Sequence, residues 1–273
     1  SINPIEGFSD NIILLNSSVI LSYSPILFEG TKESPIKLIS SDGSSGSLTV
    51  FANGRKSKLI NVVIDGLVNT SDSSGALTFF ESPVDIENTN FMNINSEDAL
   101  NIVKASISIK GLDINNTSSD ALDCDFCKGK ISSSYFDSIG GDALDFSGSN
   151  VEIDNIKVSN VSDKGLSIGE ASDIEIKDSS FSNIFIGIAS KDASSAIVSN
   201  VSINNYELYA GMTYSKKNYY DLLSSLNFYR CNIKGSEPFL RQFNTELTID
   251  GLEIDESKVN VEKLYSSGVI NNG

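Results

Sequence analysis

The sequence predicts an all-β fold in which short strands coil around one axis. Five similar segments begin at residues 98, 120, 142, 164 and 186, so each starts 22 residues after the one before it. A fixed period of this length is typical of repeat architectures. Inside each segment, apolar residues alternate with polar or small ones, which is the period of a strand. The segments are 98–102 (DALNI), 120–124 (DALDC), 142–146 (DALDF), 164–168 (KGLSI) and 186–190 (IGIAS).

Each unit also holds two further short apolar runs. In the unit that begins at Asp98, they are Ile107 with Ile109 and Leu112 with Ile114. Asn, Ser, Gly and Asp, which favour turns, separate the runs. Three strands in such a unit describe one rung of a parallel β-helix, whose rungs lie about 4.8 Å apart. We therefore predict a single right-handed parallel β-helix with three sheets, about 22 residues per rung and about twelve rungs.

The chain is expected to form one domain over residues 1–273, because no linker-like stretch divides it. Residues 1–45 are interpreted as irregular first rungs and residues 46–205 as regular rungs. Residues 206–273 are interpreted as C-terminal rungs that carry a loop. Within this last part, Val259 to Tyr265 predicts a final, irregular element.

Charge and composition exclude several function classes. Acidic residues number 36 and basic residues 20, which gives a net charge of −16, and the chain has no histidine. Nucleic-acid binding draws on basic patches, so we expect no nucleic-acid partner. Ser-His-Asp, Cys-His and histidine–metal mechanisms are excluded because they need an imidazole. We see no apolar run of about 18 residues, so we expect no membrane span, and no signal peptide is recognisable.

The cysteines are Cys124, Cys127 and Cys231. Cys124 alternates with Leu122 and is expected to point inward as a small core residue. The spacing of Cys124 and Cys127 leaves open a redox or metal-binding pair. Three cysteines do not indicate a disulfide scaffold.

Successive rungs place equivalent residues above one another, so function is expected in columns. The second and third columns are expected on the outer face of one sheet, beside a floor of small residues at positions 99, 121, 143, 165 and 187. The first column is Asp98, Asp120, Asp142 and Lys164; the second is Asn101, Asp123, Asp145 and Ser167; the third is Val103, Asp125, Ser147, Gly169 and Lys191.

The aspartates of these columns have three interpretations. Stacked carboxylates repel, so either a pKa rises or a cation joins them, and Ca²⁺ takes several carboxylate oxygens. A paired acid and base for glycoside hydrolysis is the second interpretation. In the third, the first-column aspartates only cap turns and the others form a solvated surface. The candidate Ca²⁺ ligands are Asp120, Asp123, Asp125, Asp142 and Asp145.

Residues 206–220 form a second candidate for ligand binding. The segment breaks the repeat, predicts a long loop and is rich in tyrosine. Exposed aromatic rings stack on flat ligands, including sugars. Tyr209, Tyr214 and Tyr219 are therefore expected to contact a substrate, together with Lys191. The alternative is a loop that covers the hydrophobic edge of the solenoid.

The segments SEDALNI (96–102), SDALD (119–123), GDALD (141–145) and DKGLSIGE (163–170) resemble right-handed β-helix repeats of the pectate-lyase-like superfamily. They are most similar to a bacterial group whose members have no established activity. The resemblance covers roughly residues 20–265. It implies an extracellular or cell-surface protein that binds or modifies polysaccharide or cell-surface glycan. The alternative it leaves open is a non-enzymatic solenoid such as an adhesin, a spacer or a phage fibre.

The resemblance also implies roles for individual residues. Calcium-dependent lyases of the superfamily use aspartate ligands with a lysine or arginine base. In this chain Asp123 and Asp145 would hold Ca²⁺ and Lys164 would take the proton. A lysine among acids is expected to stay charged, however, which makes it a poor base unless it is desolvated. The polygalacturonase-like pattern requires a Gly-His-Gly turn, and this chain has no histidine.

Overall fold

The structure, a computed structural model, describes residues 11–44, 46–69, 75–217, 219–220 and 222–270. The parts of the predicted first and C-terminal rungs at 1–10, 45, 218, 221 and 271–273 lie outside the described residues. The chain forms an all-β solenoid of about ten turns with about 23 residues per turn, which confirms the predicted fold class. Three parallel sheets run along the axis.

The strands have the following bounds. The first rungs contain β1 (Ile12–Leu14), β2 (Ser18–Ser22), β3 (Leu27–Glu29), β4 (Ile36–Ile39), β5 (Gly46–Val50), β6 (Ser57–Ile60), β7 (Val62–Asp65), β8 (Leu77–Phe80) and β9 (Val84–Ile94). The middle rungs contain β10 (Asp98–Val103), β11 (Ser106–Thr117), β12 (Asp120–Asp125), β13 (Lys128–Ser132), β14 (Tyr135–Ile139), β15 (Leu144–Ser147), β16 (Asn150–Asp154), β17 (Lys157–Gly169), β18 (Asp173–Lys177) and β19 (Ser180–Lys191). The last rungs contain β20 (Ser195–Ser199), β21 (Ser202–Tyr214), β22 (Ser225–Tyr229), β23 (Asn232–Lys234), β24 (Phe239–Arg241), β25 (Glu246–Ile249) and β26 (Leu252–Glu253), followed by helix α1 (Val261–Ser266).

The 22-residue period appears directly in the strand register. Leu100 pairs with Leu122, and Leu122 pairs with Leu144. The first rungs are longer, since Ser18 pairs with Gly46, 28 residues further on. These longer steps explain why the chain makes about ten turns and not the twelve predicted from a uniform period.

The first sheet carries the predicted columns. It consists of β2, β5, β8, β10, β12, β15, the C-terminal halves of β17, β19 and β21, and β24. Its register places Asn101 on Asp123, Asp123 on Asp145 and Asp145 on Ser167. The second and third columns therefore align as predicted.

The small residues at positions 99, 121 and 143 do not form an outer floor, so this prediction is wrong. Ala99 and Leu100 are both fully buried in the same hydrophobic core, and Ala121 and Ala143 repeat the arrangement. Two consecutive residues thus point inward at the start of each of these segments, and strict alternation resumes only after the leucine. The acidic side chains have no shallow alanine shelf beside them.

Side chains in the turns form hydrogen bonds from one rung to the next, with backbone N–H groups or with each other. Ser149 Oγ accepts from the Cys127 backbone N–H at 2.8 Å, and Ser172 Oγ accepts from the Ser149 N–H at 2.9 Å. On another edge, Asn183 donates to Asn160 and Asn205 donates to Asn183, with all three backbones in the left-handed region that asparagine tolerates. The abundance of Ser and Asn in the repeats therefore has a structural cause.

Cys124 and Cys127 are fully buried and joined by a disulfide bond. Cys124 does point into the core, as its alternation predicted. Its partner Cys127 lies at the same turn position as Ser149 of the next rung, and the Cys127 backbone N–H donates to Ser149 Oγ. The pair is thus a local cross-link across a turn, close to the acidic strand β12.

The C-terminal region differs from its prediction at two places. Residues 211–214 belong to strand β21 and continue the first sheet, so the loop begins only after Tyr214. The predicted irregular element at 259–265 overlaps helix α1, whose N-cap Asn260 accepts from the Lys263 N–H. Val261 of the helix is buried in a small hydrophobic cluster with Met212.

Candidate functional site: an acidic groove on the first sheet

The second and third columns of the first sheet form the floor of an open groove. Its volume is about 390 Å³. Six of the residues that line it carry carboxyl groups, and none of the described lining residues is basic. We call this surface the acidic groove. Its lining is Thr78, Phe80, Glu97, Asp98, Asn101, Val103, Asp120, Asp123, Asp125, Asp145 and Ser147.

Two of the three first-column aspartates, Asp120 and Asp142, have the capping role that one interpretation predicted. Asp120 Oδ1 accepts from the backbone N–H of Asp142 at 2.7 Å, one rung further. Asp142 Oδ1 accepts from the backbone N–H of Lys164 at 2.8 Å. Each carboxylate thereby fixes the start of the next rung, which also brings the acids of successive rungs close together.

Three carboxylates converge at one end of the groove. Oxygens of Asp120, Asp142 and Asp145 lie within 4.8 Å of one another. Two oxygens bound to one Ca²⁺ can be at most about 5 Å apart, because each Ca–O distance is about 2.3–2.6 Å. Asp145 Oδ1 is buried and has no hydrogen-bond partner. The spacing and this free acceptor fit a hard divalent cation.

Asp123 and Asp125, which were predicted as ligands of the same ion, are not in this group of three carboxylates. They line the groove from positions two residues apart on β12. Asp123 Oδ2 accepts from Asn101 Nδ2 at 3.0 Å, so it is tied to the rung before it and not to Asp145. Three of the five aspartates predicted as Ca²⁺ ligands therefore converge, while Asp123 and Asp125 line the same groove outside that group, and the five-residue site stays a prediction.

The groove raises the pKa of its own carboxyl groups. Burial, followed by repulsion from Asp142, raises the pKa of Asp120 to about 8. Burial also raises the pKa of Asp98 to about 7, although the hydrogen bond from Asn101 opposes the shift. The pKa of Asp123 is raised well above its ordinary value by burial and by Asp98. The stacking of acids predicted such shifts.

Asn101 bridges two of these carboxylates. Its Nδ2 donates to Asp98 Oδ2 at 2.9 Å and to Asp123 Oδ2 at 3.0 Å. The side chain is 7% exposed, and its Oδ1 has no partner. The amide cannot turn over without losing both bonds, so Oδ1 is held as an unused acceptor in the groove wall.

The surroundings of Lys164 do not favour the role of proton-accepting base that the resemblance implied. Its side chain is 2% exposed, and its Nζ lies 2.7 Å from Asp163 Oδ2 and 3.3 Å from Asp142 Oδ1. Burial alone lowers the pKa of Lys164, but these carboxylates outweigh burial and raise that pKa above its ordinary value. The ammonium stays protonated and locks two rungs together.

Lys191 lies on the same sheet, beyond the acidic residues of the third column. Its Nζ donates to Ser167 Oγ at 2.7 Å, and the side chain is partly buried. Burial lowers the pKa of Lys191, whereas Asp145 raises it, and the net pKa lies above its ordinary value. A charged amine thus lies beside the acidic end of the sheet, and the predicted substrate contact of Lys191 stays a prediction.

The three tyrosines predicted to contact substrate lie in different environments. Tyr214 is fully buried and its hydroxyl lies 2.6 Å from that of Tyr265, so the expectation of an exposed ring is wrong for it. Tyr209 packs partly buried against the C-terminal cluster. Tyr219 is 72% exposed, and its ring centroid lies 5.0 Å from that of Tyr220. Only Tyr219 of the three is openly accessible.

Two acidic residues that the sequence did not single out, Asp192 and Glu170, contact the loop that follows β21. Asp192 Oδ1 accepts from the backbone N–H groups of Lys216 and Lys217, each at 2.7 Å. Glu170 pairs with Lys217 and accepts from the Tyr220 hydroxyl at 3.4 Å. The loop after β21 is thereby attached to the outer side of the solenoid.

An aromatic ladder is the part of the site that the sequence analysis missed. The rings of Tyr23 and Phe51 stack with centroids 5.6 Å apart at 20°, and those of Phe51 and Phe80 lie 5.8 Å apart. Phe80 lines the acidic groove and pairs with Val103, which precedes Asp125 in the third column. Tyr23 is 70% exposed. The ladder lies in the long first rungs, where the 22-residue period does not hold, and this concealed it.

The structure also bears on the expected absence of a membrane span. In the described part of the chain, no helix has the length and apolar character needed to cross a bilayer.

Comparison with solved structures finds distant similarities. The enzymatically active domain of tailspike protein 2 from bacteriophage CBA120 matches 87% of this chain and 42% of its own, with 12% identity and a TM-score of 0.43. The catalytic domain of a GH87 α-1,3-glucanase in complex with nigerose matches 87% of this chain and 59% of its own, with 14% identity and a TM-score of 0.43. An alginate lyase from Paenibacillus sp. str. FPU-7 matches 88% of this chain and 90% of its own, with 11% identity and a TM-score of 0.41.

Likenesses of this degree carry no activity to this chain. The chain spans about two fifths of the tailspike domain and about three fifths of the glucanase domain. A search of curated proteins found no match. The family model described as "Right handed beta helix region" matches residues 98–254, which is more than half of the chain and contains most of the acidic groove. The chain therefore belongs to the right-handed β-helix family.

Proposed function

We propose that this protein binds polysaccharide along the outer face of its first sheet. The observation that carries the proposal is the aromatic ladder of Tyr23, Phe51 and Phe80, which leads directly into the acidic groove. Sugar rings have an apolar face and a rim of hydroxyl groups. Aromatic side chains stack on the apolar face of a sugar ring. Carboxylate and amide oxygens accept hydrogen bonds from its hydroxyl groups.

The shape of the surface suits a chain more than a single small molecule. The ladder and the groove follow one another along the solenoid axis, and their residues repeat with the rungs, about 4.8 Å apart. The groove is open to solvent, so a polymer can enter it from the surface without threading. Binding fits this geometry better than lyase chemistry, because Lys164 is buried and paired with two carboxylates.

The disulfide supports an extracellular or cell-surface location within this proposal. Cys124 and Cys127 are bonded, and such bonds form and persist in oxidising compartments. Polysaccharide is abundant at cell surfaces, so location and ligand agree.

Replacing Tyr23 with alanine tests the ladder. We expect about a tenfold loss of oligosaccharide affinity, because one ring-stacking contact contributes about 1.4 kcal/mol. The measurement is isothermal titration calorimetry with a panel of neutral, anionic and amino-sugar oligosaccharides. The control is Tyr229→Ala, which removes a 40%-exposed tyrosine from β22 of another sheet. If the folded protein bound no member of the panel, the structural-solenoid alternative would replace this proposal.

We further propose that Asp120, Asp142 and Asp145 hold Ca²⁺ as an aid to binding. Lys164 contacts Asp142 and offsets part of the negative charge, so the expected dissociation constant is that of a weak extracellular site, about 1 mM. At about 10 mM Ca²⁺, stability should rise by about 1.4 kcal/mol, which is roughly 3–5 °C in Tm.

A thermal melt with and without Ca²⁺ measures this effect. The Asp145→Asn variant should lose the shift, because the substitution removes one charged ligand. The Asp173→Asn variant should keep it, because this exposed residue lies on β18 in another sheet. A shift of the same size in both variants would show that the cation binds elsewhere.

A further inference from the structure

The acidic groove presents acceptors that lack donors. Asn101 Oδ1 lies in a side chain that is 7% exposed, and it has no partner because both amide hydrogens point to Asp98 and Asp123. Asp145 Oδ1 is likewise buried without a partner. A buried acceptor without a donor costs about 1–3 kcal/mol. A ligand that brings N–H donors to this wall relieves that cost.

The negative charge of the groove wall further restricts the chemical class of ligand that fits it. Six carboxyl groups line the groove, and none of the described residues in its lining is basic. An anionic saccharide is repelled by such a wall. A neutral saccharide offers hydroxyl donors but leaves the charge uncompensated. A primary ammonium offers three N–H donors and a positive charge, which matches acceptors of both kinds.

The ladder beside the groove favours a larger ligand, of which the ammonium would be one part. Phe80 lies at the junction, since its ring is tilted against that of Phe51 at 5.8 Å and the residue also lines the groove. A chain of amino sugars has ring faces for the ladder and an ammonium on each unit for the carboxylates. The rung spacing of about 4.8 Å is similar to the length of one sugar unit in an extended chain.

We propose that the groove recognises a cationic amino-sugar polysaccharide, a chain of 2-amino sugars with free amines, through Asn101, Asp123 and the neighbouring carboxylates. The inference rests on the proposed polysaccharide binding and names its substrate class. Asn101 and Asp123 are not among the three carboxylates that converge at Asp142, although Asp120 and Asp145 of that group line the same groove.

The test compares two oligosaccharides of equal length that differ only at the nitrogen. A glucosamine hexamer and an N-acetylglucosamine hexamer are titrated into the protein by calorimetry at pH 6, where the amine is protonated. We expect the free-amine hexamer to bind at least tenfold more tightly, and its affinity to fall as salt is raised. A glucose hexamer serves as the neutral reference.

The variants localise the effect. Asp123→Asn keeps the size of the side chain but cannot ionise when an ammonium binds beside it, so it should weaken the free-amine hexamer about tenfold and leave the acetylated hexamer unchanged. Asp173→Asn removes one charge from another sheet and should change neither. Melting curves of both variants confirm that they are folded.

The outcomes separate this inference from the proposed function. Equal affinity for the two hexamers, or an unchanged preference in Asp123→Asn, overturns the amino-sugar assignment while polysaccharide binding stands. Failure of all three hexamers and of an anionic oligosaccharide overturns both. A preference that Ca²⁺ alone creates, and a chelator abolishes, assigns the effect to the metal and overturns the ammonium role of Asn101 and Asp123.

Discussion

Replacing Lys164 with methionine is expected to lower the free energy of unfolding by about 3–5 kcal/mol, or roughly 10 °C in Tm. The ammonium is 2% exposed and pairs with Asp142 and Asp163, which are also buried. Its removal leaves two carboxylates in the interior without a counter-charge. Urea denaturation at pH 7, followed by circular dichroism, measures the loss.

Two further variants show whether burial is the cause. Lys130→Met breaks the pair with Glu152, whose charged groups are 4.0 Å apart and exposed, and should change stability by no more than about 0.5 kcal/mol. A triple variant, in which Lys164→Met is combined with Asp142→Asn and Asp163→Asn, should recover most of the loss. A single Lys164→Met variant within 1 kcal/mol of the parent would contradict the prediction.

Stability is expected to fall as pH rises from about 5 to 8. The pKa of Asp142 is raised to about 6, that of Asp98 to about 7 and that of Asp120 to about 8. In this window the folded chain binds more protons at these groups than the unfolded chain, and stability then decreases with pH. A pKa shift of one unit at each of these three aspartates already lowers the free energy of unfolding by about 4 kcal/mol.

The measurement is a series of urea denaturations between pH 5 and pH 8 with a chelator present. No histidine titrates in this window, so the aspartates dominate the slope. Asp120→Asn keeps the oxygen that accepts from the Asp142 N–H and removes the ionisation, so it should flatten the profile and stabilise the protein at pH 8. Asp173→Asn should leave the slope unchanged. A profile that is flat or rises from pH 5 to 8 would refute the predicted cost of stacking these acids.

The sequence alone determined the solenoid and its columns. Equal spacing of the segments from Asp98 to Ile186 implies that each rung repeats the previous one, and hydrogen bonding between rungs then aligns equivalent residues. Asn101, Asp123 and Asp145 align in the structure for this reason. The same periodicity predicted that carboxyl groups would be stacked.

The tertiary structure decided which of these groups are buried and what they contact. Lys164 has the same position in the repeat as Asp142, but only the packed structure shows that it is enclosed by Asp142 and Asp163. Tyr214 lies in a segment that appears irregular in sequence, yet strand β21 carries it into the interior. Burial depends on neighbours from other rungs, which local alternation does not report.

The aromatic ladder and the unused acceptors were also decided by the tertiary structure. Tyr23, Phe51 and Phe80 are separated by 28 and 29 residues, so the regular period gives no reason to group them. Asn101 looks like any polar residue of its column, and only its bonds to Asp98 and Asp123 leave Oδ1 free. Sequence periodicity fixes which residues share a column. Ring contacts and hydrogen-bond directions are set by side-chain packing in three dimensions, and these determine what the groove can bind.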